Sequence, residues 1–205
     1  MRSKIFISFG CILLSVALAL TVYNLYDDTR AAEKAVEAVN KLQAEMPSLR
    51  YDSDDENSVL SSDLPAYVLN PEMEMPIKKI DGIEYIGTLE IPALGLVLPV
   101  ISELTDYSLK MAPSRYKGSL YMGDLIIGAH NYRSHFSNLG NLPIGSDVIF
   151  TDVDGNVFSF VSVITETLRP TDIEEMESGE WDLTLFTCTF GGQYRITVRC
   201  EKAKK

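Results

Sequence analysis

The sequence predicts an all-β domain preceded by an N-terminal transmembrane helix and a helical stalk. An uncharged stretch runs from Ile5 to Tyr26. From residue 80 onward, short segments rich in β-branched and aromatic residues alternate with turn residues, a spacing typical of a β-sandwich or β-barrel. We therefore expect three regions: residues 1–26 as cytoplasmic tip and membrane anchor, 27–79 as helical stalk and acidic linker, and 80–205 as the folded domain.

The apolar stretch is long enough to cross a bilayer. At ~1.5 Å per residue it covers the ~30 Å of a hydrocarbon core. Two basic residues precede it and Asp27 and Asp28 follow it, so the N-terminus is expected in the cytoplasm and the domain outside. The alternative is a cleaved signal peptide, because Ala17-Leu18-Ala19 has the form of a cleavage site. The retained anchor is preferred because the apolar run continues past that site.

The composition limits the partners of the domain. The chain has 205 residues and a formal net charge of −11, which argues against nucleic acid because phosphate binding requires a basic face. Acidic residues concentrate between positions 51 and 77, a stretch without Lys or Arg. Much of the negative charge therefore belongs to a linker and says little about the substrate.

One helix and then extended chain are predicted between anchor and domain. Asp28 is placed to cap a helix that continues to about Glu45, and Pro47 ends it. Apolar residues recur in it at three-four spacing, which fits either packing against the domain or a plain stalk. The Asp-, Ser- and Pro-rich stretch 51–76 predicts a linker, of which residues 70–76 alternatively form a lid.

Short strands are predicted through the domain at 85–91, 96–100, 124–129, 147–150 and 157–163. Asp154-Gly155 joins the last two of these as a hairpin turn. The surrounding sequence Asp152 to Asn156 superficially resembles a calcium loop, but it lacks the downstream bidentate acid. A turn is the preferred interpretation.

Cysteine usage points to a free thiol. Cys11 lies in the membrane span, which leaves Cys188 and Cys200 in the extracytoplasmic part, too few for a disulfide framework. Both are either small buried hydrophobic residues or a pair, unless one of them has a chemical role. A thiol kept free in an oxidising compartment invites a functional explanation.

The Gly191-Gly192 pair predicts the register of a C-terminal hairpin. It separates two alternating runs and forms a candidate two-residue loop. Counting outward from it, Cys188 faces Arg195 with Cβ atoms ~5 Å apart, and Cys200 faces Leu183, ~17 Å along the strand from Cys188 at ~3.4 Å per residue. A disulfide needs Cα atoms within ~7 Å, so Cys188 should be free. Arg199, on the same face, is a second candidate arginine but lies ~13 Å farther along.

Nucleophilic catalysis by a thiol also needs a proton carrier, and a nearby cation favours the thiolate. The chain has two histidines. His130 ends an apolar strand, a position from which a side chain emerges at a sheet edge, whereas His135 lies in a polar loop. We therefore predict His130 as the acid/base. The two histidines are five residues apart, and this spacing is poor for binding one metal ion together.

These motifs resemble the sortase family. Thr184-Leu185-Phe186-Thr187-Cys188, followed seven residues later by Arg195, is similar to its TLxTC…R signature. Gly128-Ala129-His130-Asn131 is similar to its strand-end histidine, and the stretches 136–139 and 145–147 resemble the loop that follows. The resemblance covers roughly residues 80 to 203.

The resemblance implies an eight-stranded sortase barrel with His130 as general acid/base, Cys188 as nucleophile and Arg195 holding the substrate and the oxyanion. It implies cleavage of an LPxTG-like C-terminal sorting signal of secreted proteins through a thioacyl intermediate, and transfer to an amine of the cell wall or of a pilin. No cofactor is expected. The acidic stretch 171–180 corresponds to a loop that binds calcium in some sortases, but its ligand spacing is not diagnostic.

Two other functions use the same residues differently. A surface cysteine peptidase would employ Cys188 and His130 but release the acyl group to water. A non-enzymatic alternative is an anchored binding module whose thiol is buried and inert.

Overall fold

A computed structural model describes residues 2–47, 50–51 and 64–204. Within these ranges the helices are α1 (Arg2–Glu45), α2 (Ala66–Leu69) and α3 (Ile173–Met176). The strands are β1 (Arg50–Tyr51), β2 (Lys78–Ile80), β3 (Ile83–Ile91), β4 (Leu96–Ile101), β5 (Ser114–Lys117), β6 (Leu125–Ala129), β7 (Asp147–Asp152), β8 (Asn156–Leu168), β9 (Leu183–Cys188) and β10 (Arg195–Lys202). Short 3₁₀ turns occupy Pro92–Leu94, Ser108–Lys110 and Leu139–Asn141.

The strands β3 to β10 close into an eight-stranded barrel. Neighbours around the ring follow the order β3, β4, β5, β6, β9, β10, β8 and β7, and β7 closes it by pairing with both β8 and β3. The pairs β4–β5 and β6–β9 are parallel, and the other pairs of the ring are antiparallel. Closure leaves no long open edge. The predicted all-β barrel is confirmed, although β5, whose four residues are mostly polar, was not predicted.

The inner face of the barrel is filled by large apolar side chains, because alternate residues of each strand point inward. This main core includes Ile86, Leu89, Leu125, Ile127, Phe136, Phe150, Phe158, Phe160, Leu183, Leu185 and Val198. Fully burying one such side chain contributes about 1.5–3 kcal/mol. The core therefore holds the barrel wall in place around the residues discussed below.

The hairpin between β7 and β8 confirms the predicted Asp154-Gly155 turn. Gly155 has φ +82°, and its amide donates to the Asp152 carbonyl at 3.1 Å. The buried Asp152 carboxylate accepts hydrogen bonds from the amides of Asp154 and Asn156, from the Asn156 side chain and from the Tyr121 hydroxyl. Protein donors thus occupy both oxygens of the Asp152 carboxylate.

The helix α1 is continuous from the apolar stretch into the region predicted as a stalk. The prediction that a helix begins at Asp28 is wrong: no Pro or Gly interrupts residues 11–45, and the Asp28 side chain binds the domain instead of capping a helix. By length and composition, α1 is apolar enough near the N-terminus to cross a membrane. This apolar part of the helix is exposed and does not pack against the domain.

The second half of α1 packs against the barrel. Ala35 is buried in the main core, while Ala38 and Leu42 are buried in a smaller cluster with residues of β2, β3 and β4. Small alanines let the helix approach the strands closely, and Lys41 adds an ion pair with Asp81 at 2.6 Å. Of the two interpretations of this helix, packing against the domain is therefore the observed one. The boundaries between the three regions stay predictions.

Residues 52–63 of the predicted linker lie outside the described residues. The segment after it is ordered by the barrel: the Tyr67 ring stacks on Tyr121 with centroids 4.7 Å apart and lies 5.2 Å from Phe158. Met75 is buried in the main core. The lid considered for residues 70–76 stays a hypothesis.

Candidate active site

The β9–β10 hairpin has the register that its Gly-Gly loop predicted. Cys188 pairs with Arg195, and Cys200 pairs with Leu183. The loop is longer than the predicted two residues. The Thr189 amide donates to the Tyr194 carbonyl and the Gly192 amide to the Thr189 carbonyl, each at 2.9 Å, so the turn passes through Phe190 and Gly191. Both loop glycines have positive φ, +84° at Gly191 and +73° at Gly192, a conformation that glycine adopts without strain. Both cysteines are free thiols.

The parallel pairing of β6 with β9 makes His130 a neighbour of the Cys188–Arg195 pair. Ala129 is opposite Thr187, and the Thr187 hydroxyl donates to the Ala129 carbonyl at 2.9 Å. One residue farther along both strands are His130 and Cys188. Since neighbouring strands lie ~4.8 Å apart, the order across the sheet is His130, Cys188, Arg195.

Alternation assigns the three residues to the same side of the barrel wall. On β9, Leu183 and Leu185 are in the main core, whereas Phe186 belongs to an outer cluster with Ile126, Leu168 and Met176. Cys188 follows Phe186 by two residues, and His130 follows Ile126 by four, so both lie on the outer side. Arg195 lies on the same side because it pairs with Cys188. The thiol is partly exposed there.

An apolar floor, defined by Leu104, Tyr116 and Phe186, lies beside the cysteine. It exists because position 128 is glycine: a Cβ there would come within 2.6 Å of the Phe186 ring and 2.7 Å of Leu104. The Tyr116 ring meets Phe186 edge-on at 5.8 Å. An apolar side chain of a substrate can pack on this surface next to the thiol.

Arg195 is held at the end of its strand by carbonyl groups of the loop. Its Nη1 donates to the carbonyl of Gly192 at 3.1 Å and to that of Tyr194 at 3.3 Å. The residue is partly exposed. Its guanidinium thus binds the loop and is accessible from solvent, on the residue whose backbone pairs with that of Cys188.

Arg199 has a different environment. It is 2% exposed and lies opposite Thr184, as the register predicted. Its guanidinium donates to Glu166 Oε1 at 2.7 Å, to Thr184 Oγ1 at 3.0 Å, and to the carbonyls of Met176 and Glu175 at 3.1 and 2.5 Å. This buried network ties β10 to α3 and β8. Sequence reasoning missed it, since carbonyl acceptors leave no trace in the sequence.

The two histidines differ in burial. His130 is partly buried, and that burial lowers its pKa, an effect opposed by the Asp27 carboxylate. A neutral imidazole that accepts a proton is therefore favoured at pH 7. His135 was expected in a polar loop, but it is only 1% exposed, because the loop folds back with Phe136 entering the core. Burial lowers the pKa of His135 to about 4.

Cys200 differs from Cys188 in its burial. It is buried in the main core, and burial raises the pKa of its thiol to about 12. Cys200 therefore stays a protonated, unreactive thiol at neutral pH.

The acidic stretch 171–180 is engaged with protein groups. Glu177 binds the Tyr116 hydroxyl at 2.8 Å and the Lys117 ammonium. Asp172 accepts a hydrogen bond from the Arg169 amide at 2.8 Å. Among the described residues, no three His, Cys, Asp or Glu side chains form a group that could hold a metal ion.

Comparison with known proteins relates this architecture to one family. The family model of the sortase domain matches residues 89–203. Sortase A of Bacillus anthracis is 24% identical over 194 residues, which cover 91% of this chain and 88% of that protein. Among solved structures, sortase D5 of Clostridium perfringens superimposes with a TM-score of 0.53 at 18% identity, over 62% of this chain and 83% of that one. Sortase C of Streptococcus pneumoniae gives 0.52 at 22% identity, over 62% and 72%.

Proposed function

Because the chain belongs to the sortase family of cysteine transpeptidases, we propose that Cys188 is its nucleophile, His130 its general acid/base and Arg195 the residue that holds the substrate carbonyl and the oxyanion. The main support is the strand register, in which Cys188 pairs with Arg195 on one side and Thr187 with Ala129 on the other. The backbones of the three residues are thus neighbours where adjacent strands end, which supports the assignment.

The first half of the reaction forms a thioester. His130 takes the proton of the Cys188 thiol, and the sulfur attacks the carbonyl carbon of the scissile peptide. The Arg195 fork donates hydrogen bonds to the oxygen as it becomes negative. The C–N bond then breaks, His130 gives its proton to the leaving amine, and the acyl group stays on sulfur.

The second half transfers the acyl group to an acceptor. A primary amine attacks the thioester carbon, and His130 accepts a proton from it. The C–S bond breaks, the new amide bond remains, and the proton returns to sulfur. The partly exposed thiol is open to the acceptor from solvent.

The substrate we propose is an LPxTG-like sorting signal at the C-terminus of a secreted protein. The apolar floor of Leu104, Tyr116 and Phe186 suits an apolar residue of such a signal. The acceptor is an amine of a peptidoglycan precursor or a pilin lysine. The chain is anchored through α1, with its N-terminus in the cytoplasm and the barrel on the cell surface, as the charges flanking the apolar stretch indicate.

A transfer assay tests this function. The full chain in detergent micelles is incubated with a fluorogenic sorting-signal peptide and increasing concentrations of a primary amine. We expect the amide product to rise with amine concentration, and Cys188→Ala to form none. Hydrolysed peptide alone at every amine concentration would favour the peptidase, and a native thiol inert to alkylating reagents would favour the binding module.

A further inference from the structure

The membrane-proximal end of α1 contacts the loop that follows His130. The Tyr132 hydroxyl donates to Asp27 Oδ2 at 2.6 Å. The next aspartate binds the same loop: the Ser134 hydroxyl donates to Asp28 Oδ1 at 3.0 Å. These two carboxylates come directly after the apolar stretch that ends at Tyr26.

Tyr132 connects this contact to the imidazole. Its ring centroid lies 5.1 Å from that of His130, with the planes at 50°. It also lies 5.4 Å from that of His135, with the planes at 48°. The phenol ring therefore contacts both imidazoles, and the hydrogen bond to Asp27 limits where that ring can move.

The charged and titratable groups facing His130 come from three elements. Asp27 belongs to α1, Asp106 and Lys110 belong to the loop between β4 and β5, and His135 belongs to the loop after β6. Asp27 is the strongest of these influences and favours the protonated imidazole, against the effect of burial. Burial and the hydrogen bond to Asp27 raise the pKa of Tyr132, so its hydroxyl keeps its proton and remains a donor.

We propose that Asp27 and Tyr132 are positioning residues for His130, through which the membrane-proximal end of α1 orients the imidazole. Neither residue touches the reacting atoms. Tyr132 supplies a ring against which the imidazole packs. Asp27 holds that ring in place through its hydrogen bond and contributes a negative charge. The proposal rests on the proposed function, in which His130 is the acid/base.

Neighbouring residues provide matched variants. Asp27→Asn and Asp28→Asn remove the same charge from adjacent positions of the same helix. Asp27 contacts Tyr132, whereas Asp28 contacts Ser134 and influences His135 instead. Tyr132→Phe removes the hydrogen bond and keeps the ring, and the pair Asp27→Asn/Tyr132→Phe tests whether both act through one contact.

Two readouts are measured on the full chain in micelles. The first is kcat/KM for peptide transfer as a function of pH. The second is the titration of labelled histidine signals by NMR, which is simple because the chain has two histidines, and His135→Gln assigns them. The titration needs no turnover and is repeated in Cys188→Ala.

We expect Asp27→Asn, which removes the charge and leaves only a neutral acceptor, and Tyr132→Phe, which removes the donor, each to lower kcat/KM about ten-fold. The loss should fall on kcat, and the double variant should be no worse than either single one. In Asp27→Asn the pKa of His130 should fall further, because the carboxylate that favours the imidazolium is gone. Asp28→Asn should leave the pKa of His130 unchanged.

Equal titration of His130 in wild type and Asp27→Asn would overturn the proposal, as would additive losses in the double variant. These outcomes differ from a failure of the proposed function, which would appear as transfer activity in Cys188→Ala or full activity in His130→Ala. The titration also separates positioning from stability, because a variant that only destabilises the fold leaves the pKa of His130 in the folded fraction unchanged.

Discussion

Replacing each of the two arginines of β10 by lysine should separate catalysis from stability. Arg195→Lys keeps the charge beside Cys188 but loses the planar fork. An oxyanion donor is worth about 10²-fold to 10³-fold in rate, or about 2.7–4 kcal/mol of transition-state stabilisation. Because Arg195 is partly exposed and binds only loop carbonyls among the contacts seen, its loss should change the free energy of unfolding by less than about 1 kcal/mol.

Arg199→Lys should give the opposite result. The buried guanidinium makes four hydrogen bonds through three nitrogens, to Glu166, Thr184 and two carbonyls. A lysine side chain has one nitrogen and cannot satisfy acceptors on three sides. One or two charge-assisted hydrogen bonds are therefore lost, and each contributes about 1.5–3 kcal/mol. We expect the free energy of unfolding to fall by about 2–4 kcal/mol, while the rate per folded molecule stays near wild type.

Both quantities are measurable on the full chain in micelles. Peptide transfer at saturating amine gives the rate, and denaturant unfolding gives stability. The single tryptophan, Trp181, lines a small pocket together with Thr184 and Arg199, so its fluorescence reports the relevant region. A folded, stable but inactive Arg199→Lys, together with an active Arg195→Lys, would refute the register argument and assign the functional guanidinium to Arg199.

Four other variants or conditions extend this test. Cys188→Ala should abolish transfer while unfolding within about 1–3 kcal/mol of wild type; measurable thioester formation in it would remove the sulfur from the mechanism. His130→Ala should slow acylation by about 10²-fold to 10⁴-fold in stopped-flow assays, and an equal rate would show that another group carries the proton. Burial lowers the pKa of His135 to about 4, so on acidification the unfolded state binds the proton first. The free energy of unfolding should therefore fall between about pH 6.5 and 4 in wild type, and less steeply in His135→Gln. Identical pH profiles of the two proteins would contradict the burial of this imidazole. A residue inserted between Gly191 and Gly192 should be nearly as damaging to transfer as Arg195→Lys, because a shift of one residue turns Arg195 to the other face, and an active, folded insertion variant would disprove it.

The sequence by itself determined the local part of the candidate site. A Gly-Gly pair between two alternating runs predicts a hairpin, and counting outward from it makes Cys188 and Arg195 neighbours. That register holds although the observed loop is longer than two residues. The barrel class followed from strand composition in the same way. Both inferences depend on residues close together in the chain, for which propensity and periodicity are informative.

The tertiary structure decided what depends on distant segments. The adjacency of His130 and Cys188 requires β6 to lie parallel to β9, and Arg199 is buried because α3 brings two carbonyls to it. His135 is buried because its loop folds back on the core, and the same loop binds α1 through the hydrogen bonds of Tyr132 and Ser134 to its carboxylates. Such contacts join residues tens of positions apart, and their free energy exists only once the chain has closed around them.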